Sequence, residues 1–356
     1  MQRRKFMKTA AAGTALSMLS TGSVLSDSRQ DRKIPDAEFL LPKVLNEGDT
    51  IGVIAPGTAV TDPDDIVKAK AAADYFGLKI KLGKNVLSGS GYKSRSVKER
   101  VNDLHDMFAD PDIKAVFCLR GGYGSAQLLA DIDYKLLRDN PKIFIGYSDI
   151  TAMHLAINKF SRLVTFHGPV LLSSFSSYTT EHFRKALFDT DALGVLKNPD
   201  NMSGIRKAYP IRTINSGTTS GKLIGGNMTL ISTTMGTPYE IDTKDRILFI
   251  EDVGEQPYSI DRMMTQLELA GKFRDAAGII VGKCAGCNDK GLNPSKIWDN
   301  SIGEIFDYHL GKLNIPVVSG MLIGHTSEQL TLPLGVNAEL DADLGEIMID
   351  DACVRD

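Results

Sequence analysis

Lys142-Ile143-Phe144-Ile145-Gly146-Tyr147-Ser148-Asp149-Ile150 decides how this chain is read. Ile143-Phe144-Ile145 is a short apolar run of the kind a buried strand needs, and Ile150 to Phe160 carries apolar residues at helical spacing. The four residues between them leave room only for a sharp turn. Such a turn lifts a serine hydroxyl clear of the sheet and aims backbone N–H groups at whatever it attacks. That is a hydrolase signature, incomplete in one respect: Gly146 stands two residues before Ser148, but Ile150 stands two after it. A strand ending in a helix N-cap serine has the same local look.

Upstream, the chain alternates strand and helix. Ile51 to Ala55 reads as a strand and Asp64 to Phe76 as a helix closed by Gly77. Lys79 to Leu82 is a strand, and Ser96-Val97-Lys98-Glu99 is a capping box opening a helix through Phe108. Ala115 to Leu119 is a strand and Ser125 to Asp131 a helix. Repeated βα units imply a parallel sheet with helices on both faces. Ligands on such sheets sit beyond the carboxyl ends of the strands, where Ser148 and the Arg120-Gly121-Gly122 turn both fall.

Downstream, the pattern lapses into Ser, Thr, Asn and Pro, and Ser173 to Thr180 reads as loop. Residues 171–215 are therefore taken as a linker between an N-terminal domain, 45–170, and a C-terminal domain, 216–350. The latter mixes helices at Met228 to Met235, Ile260 to Leu269 and Ile297 to Leu310 with strands around Leu223, Ile247 to Ile250, Ile279 to Val281 and Val317. It ends in short strands between Gln329 and Ile349. The expected fold class is α/β: a doubly wound parallel-sheet domain followed by a smaller, β-rich α/β domain.

Arg3-Arg4-Lys5-Phe6-Met7-Lys8, followed by a mildly apolar stretch to Leu25, is a twin-arginine export pattern, with Val24-Leu25-Ser26 supplying small residues for cleavage. The stretch is interrupted by Gly13, Gly22 and hydroxyl residues and is too weak for a membrane span. Removing residues 1–26 takes away four cations and no anions, leaving 37 Lys+Arg against 44 Asp+Glu, a net charge near −7. An acidic body without a Lys/Arg run argues against nucleic acid as a partner. Cys284-Ala285-Gly286-Cys287 has redox or zinc spacing, but no second pair or His cluster completes a zinc site. Two buried small residues after a strand, or a disulfide in an oxidising compartment, both account for it.

Gly122, after a strand, reads equally as a backbone N–H donor to an anion or as a tight turn needing positive φ. Ser125 rivals Ser148 as nucleophile, although helix capping explains it. Glu251 ends the apolar strand Ile247-Leu248-Phe249-Ile250, where a carboxylate needs a partner, and a histidine is a natural one. Asp252 and Glu255 are expected to face water. His325, after Gly324, has access to a cleft, and His167 is its rival; only convergence in space decides between them.

Seven ordered blocks resemble the L,D-carboxypeptidase family of serine peptidases, the murein tetrapeptide hydrolases, whose sibling branch contains the microcin C self-immunity hydrolases. They are Ile54-Ala55-Pro56, Arg120-Gly121-Gly122-Tyr123-Gly124, Ile145-Gly146-Tyr147-Ser148-Asp149, His167-Gly168-Pro169, Ile224-Gly225-Gly226-Asn227, Ile250-Glu251-Asp252-Val253-Gly254-Glu255 and Gly324-His325. They cover about residues 45 to 345. The resemblance implies an amidotransferase-like first domain, Ser148 as nucleophile, His325 as base and Glu251 as orienting acid. It further implies the N–H groups of Gly122 and Asp149 as the oxyanion hole and leaves His167 in the cleft wall. Arg120, beside the glycine turn, stands where it could bind a carboxylate bidentately.

The activity implied is removal of the terminal D-alanine from a murein tetrapeptide, with no metal or organic cofactor required. The partner expected is a small peptide substrate, with no membrane span, and a homodimer is compatible with this. Export would place the enzyme in the periplasm, beside the wall. The same fold serves acyl-adenylate cleavage, although Trp298 is the only tryptophan and no aromatic-rich insertion offers an adenine a stacking surface. A non-catalytic periplasmic peptide-binding protein would share the architecture but leaves the serine, carboxylate and histidine, each following a strand, unaccounted for.

Overall fold

The computed structural model describes residues 38–87, 95–287 and 301–356; the export pattern at 1–26 and Trp298 lie outside them. Five strands, β1 (Thr50–Ile54), β2 (Lys79–Leu82), β3 (Ile113–Cys118), β4 (Ile143–Gly146) and β5 (Thr165–His167), run parallel in the order β2-β1-β3-β4-β5. Their side chains divide between two cores by simple alternation. Ile51, Val53, Ala115, Phe117, Ile143 and Ile145 enter one, while Ile54, Val116, Cys118 and Phe144 enter the other. Both faces are thus apolar and both must be covered.

The helices do this. α1 (Pro63–Tyr75) contributes Ala69 and Ala73 to the first core, whereas α2 (Val97–Ala109), α3 (Tyr134–Asp139) and α4 (Thr151–Phe160) fill the second with Leu104, Phe108, Leu137, Ala152 and Ala156. The capping box read at Ser96 and Glu99 is present. The helix expected at Ser125 to Asp131 is only a 3₁₀ turn, Ser125–Leu128. Its first residue is held sideways, because the Ser125 N–H and hydroxyl both bond to Asp149 of the neighbouring turn.

The stretch read as linker is structured. α5 (Ser177–Leu187) starts inside the expected loop because Ser176 caps it, its hydroxyl accepting the Thr179 N–H, and because Phe183, Ala186 and Leu187 are buried. Hydroxyl residues that read as loop were serving as a helix cap. Beyond it come β6 (Gly194–Leu196), the small hairpin β7 (Met202–Ser203) and β8 (Arg206–Lys207), and β9 (Arg212–Asn215).

A second, eight-stranded sheet has the order β6-β16-β15-β10-β11-β12-β13-β9. Its new members are β10 (Thr218–Asn227), β11 (Arg246–Val253), β12 (Gly278–Ala285), β13 (Val317–Ser319), β15 (Asn337–Asp341) and β16 (Glu346–Ile349). The centre, β10 to β13, is parallel, with α6 (Met228–Thr234), α7 (Pro257–Leu269) and α8 (Ile302–Leu310) interleaved; the flanks are antiparallel. The C-terminal part is therefore more α/β in character than its short final strands suggest. One of those strands, β14 (Leu332–Leu334), leaves this sheet and pairs antiparallel with β5 of the first, setting Leu332 opposite His167. The molecule is thus a mixed α/β fold with two sheet-containing domains, and the described residues form one compact unit. Among the described residues, no helix is long and apolar enough to cross a membrane.

Candidate active site

Ser148 opens a 3₁₀ turn, Ser148–Ile150, between β4 and α4, and has φ +63°. A non-glycine residue there costs about 1–3 kcal/mol and persists only where its surroundings hold it. The hold is visible in the next residue. Asp149 is buried, and its carboxylate accepts the N–H of Gly124 at 3.2 Å and of Ser125 at 2.9 Å. Burial raises its pKa, against which those bonds and the Arg100 guanidinium act. Arg100, itself buried, donates to the carbonyls of Pro56 (2.6 Å) and Gly124 (3.0 Å) and to Gln127 Oε1 (3.0 Å). One clasp therefore joins the turns after β1, β3 and β4.

Gly122 lies in the turn after β3 with φ +103°, and a Cβ there would fall 2.1 Å from Thr58 Oγ1. The tight-turn reading of this residue holds, since the position demands glycine, and its N–H makes no hydrogen bond to another described residue. The Asp149 N–H, near the start of its turn, is likewise unspent. Ser125, the rival nucleophile, is fully buried with its hydroxyl donating to the Asp149 carbonyl.

Glu251 lies near the end of β11 with its side chain wholly buried, and its Oε2 accepts a 2.8 Å hydrogen bond from His325 Nδ1. Burial pushes the carboxyl up, but the imidazoles of His167 and His325 outweigh it and hold Glu251 below the usual carboxylate range. His325 comes from the segment between β13 and β14. Gly324 before it has φ +86°, and a Cβ there would sit 2.1 Å from Glu251 Oε2, so backbone passes where a side chain cannot. Asp252, expected to face water, is buried instead. Its carboxylate accepts from Asn227 Nδ2, from the Thr229 N–H and hydroxyl and from the Val253 N–H, at 2.8–3.0 Å, which fixes the start of α6.

Ser148 and His325 line one cleft of about 310 Å³ together with Arg120, Gly122, Tyr147 and Ser173. No hydrogen bond joins the hydroxyl to the imidazole here; such bonds often tighten only with substrate. His167 is not in the cleft wall. It is fully buried behind Glu251, its Nε2 3.8 Å from Oε1. Two residues escaped sequence reasoning. Tyr147 packs its ring edge-on to His325 at 4.9 Å, and Arg100 builds the clasp described above. Tyr147 was visible beside the serine, but nothing local marked Arg100.

A serine on a strained strand-to-helix turn, an imidazole in the same cleft and a buried carboxylate on that imidazole define the class: a serine-type hydrolase. Comparison with known proteins agrees. The LD-carboxypeptidase N-terminal domain matches residues 51–168 and the LD-carboxypeptidase C-terminal domain matches residues 220–340. The chain belongs to the LD-carboxypeptidase family, which also takes in self-immunity proteins against microcin C7. It is 39% identical over 301 residues to a probable murein peptide carboxypeptidase of Bacillus subtilis, covering 84% of this chain and 91% of that one. It is 33% identical over 342 residues to the microcin C7 self-immunity protein MccF of Escherichia coli, covering 87% and 95%. Among solved structures, a muramoyltetrapeptide carboxypeptidase from Oxalobacter formigenes superposes with a TM-score of 0.72 at 28% identity, covering 86% of this chain and all of that one.

Proposed function

We propose that this enzyme cleaves the amide before the terminal D-alanine of murein tetrapeptides through an acyl-enzyme on Ser148. His325, oriented by Glu251, takes the hydroxyl proton as Ser148 attacks the carbonyl at the L-centre of the third residue. The N–H groups of Gly122 and Asp149 receive the oxyanion, each contributing about 3 kcal/mol in comparable sites. D-alanine leaves with the proton from His325, and water then resolves the ester.

The observation that carries the substrate reading is Arg120. It lines the cleft beside Ser148, as does the carboxylate of Asp65, and it makes no hydrogen bond or ion pair with another described residue. A guanidinium in that position suits the free carboxylate of a terminal amino acid. The greater identity to the Bacillus murein peptide carboxypeptidase supports the same reading. The export pattern supports action in the periplasm, as wall trimming.

The sibling reading, hydrolysis of an aminoacyl-nucleotide amide, has support of its own. Solved MccF structures, including one with aspartyl sulfamoyl adenosine, superpose with TM-scores of 0.78 to 0.79, above the carboxypeptidase value of 0.72. The two are separated by incubating the enzyme with L-Ala-γ-D-Glu-meso-Dap-D-Ala and, in parallel, with the N-linked analogue aspartyl sulfamoyl adenosine, and following release of D-alanine and of sulfamoyl adenosine. D-alanine release that falls by several orders of magnitude in Ser148→Ala and His325→Ala is the expected result. Release of sulfamoyl adenosine alone would move the assignment to the sibling branch. Tight binding without turnover of either would make the protein a binder.

A further inference from the structure

Glu251 is approached by two imidazoles, and only one of them is bonded to it. His325 Nδ1 donates to Oε2 at 2.8 Å, whereas His167 Nε2 faces Oε1 at 3.8 Å. Both side chains of this second pair are fully buried. Oε1 and both ring nitrogens of His167 lack any hydrogen-bond partner. A neutral imidazole always carries one N–H, and a buried donor beside a buried carboxylate oxygen has an obvious partner.

His167 has two further unpartnered polar atoms in its neighbourhood, His154 Nδ1 and Thr331 Oγ1, but of the groups around it only Glu251 Oε1 carries a charge. Its ring packs edge-on to Phe249 at 5.1 Å and to Tyr147 at 6.2 Å, and lies 6.4 Å from the ring of His154, whose own Nε2–H is given to the Gly146 carbonyl. Its backbone is pinned on both sides, pairing with Gly146 of β4 and Leu332 of β14. The ring cannot leave. A shift of under about 1 Å in the Glu251 carboxylate would bring 3.8 Å to hydrogen-bond length.

We propose that His167 is a positioning residue that donates Nε2–H to Glu251 Oε1, so that each carboxylate oxygen is held by one imidazole and the plane presented to His325 is fixed. Orientation of a ligating or catalytic imidazole through its outer partner is a general device. The role rests on the reading of Ser148, His325 and Glu251 as the catalytic set. His167 touches neither cleft nor substrate and acts through Glu251.

Two variants separate positioning from packing. His167→Leu fills the space without a donor, whereas His167→Gln returns an N–H close to the place of Nε2. The leucine variant should lose about ten- to a hundredfold in kcat with KM unchanged, and the glutamine variant should recover to within about fivefold of the parent. The second readout is the downfield proton resonance of His325 Nδ1–H, recorded without substrate. It should be sharp in the parent and in His167→Gln and broadened or absent in His167→Leu. An intact resonance in the leucine variant, or a kcat loss that glutamine does not restore, would overturn the proposal. Because the resonance needs no turnover, it tests the role of His167 even if neither substrate is cleaved. Loss of the catalytic reading would show separately, as unaltered activity in Ser148→Ala.

Discussion

Position 324 admits only glycine, because a Cβ there would fall 2.1 Å from Glu251 Oε2 at a φ of +86°. Gly324→Ala should displace either the carboxylate or His325, and misplacements of this size cost about 100-fold in rate. Steady-state kinetics beside a thermal melt would check this; a rate within a few-fold of the parent would mean that the Glu251–His325 contact does not matter. A second residue carries a pH signature. His154 is fully buried, donates Nε2–H to the Gly146 carbonyl, and is lowered by burial from an ordinary 6.5 to about 3. The unfolded chain therefore takes up a proton near 6.5 that the folded chain refuses until about pH 3, so stability falls as pH falls through that window. The slope is at most about 1.4 kcal/mol per pH unit for one proton. Urea unfolding between pH 7 and 5 should show His154→Gln losing stability less steeply than the parent, and identical slopes would contradict it. Glu251 does not confuse this comparison, since its carboxyl, held below its ordinary range by the two imidazoles against burial, is the same in both proteins. Of these features the sequence displayed the residue types alone. Gly324 and His325 were adjacent and suggestive, but the clash that makes glycine obligatory involves a residue 73 positions away.

At the scale of elements, the parts that hold the site are turns tied together, more than strands or helices. Arg100 on α2 binds the carbonyls of Pro56 and Gly124, and Asp149 accepts from Gly124 and Ser125, so three strand ends are fixed relative to one another. Arg100→Met should cost about 2–3 kcal/mol, since it leaves the carbonyls of Pro56 and Gly124 buried without their donor. Denaturant titration measures this, and a loss below about 1 kcal/mol would show that solvent repairs the clasp. The strands of the first sheet were readable because alternating burial needs only local apolar runs. The 3₁₀ turn at Ser125, the buried state of Asp252 and the cap at Ser176 were not, because each depends on a partner from elsewhere. Asp252 illustrates the point: a carboxylate after a strand looks solvent-facing until Asn227 and Thr229 are seen to satisfy it.

Across the whole molecule, the candidate site belongs to neither sheet alone. Ser148 and Gly122 follow strands of the six-stranded sheet, Glu251 lies on β11 of the eight-stranded one, and His325 precedes β14, which returns to pair with the first. A further tie lies between them, where the Asn227 N–H ending β10 donates to Thr151 Oγ1 at the start of α4 at 2.9 Å. Sequence order gave the two halves and their residues, but how the halves are stitched, by β14 above all, is a long-range pairing that no local pattern announces. The central claim is that Ser148 is the nucleophile and is activated from the other half of the molecule. Phosphonylation by a serine-directed fluorophosphonate, located by peptide mass mapping, tests it without any assumption about substrate. The account predicts modification at Ser148 in the parent, and its loss both in Ser148→Ala and in His325→Ala. Modification at Ser125, or undiminished labelling of Ser148 when His325 is removed, would contradict it.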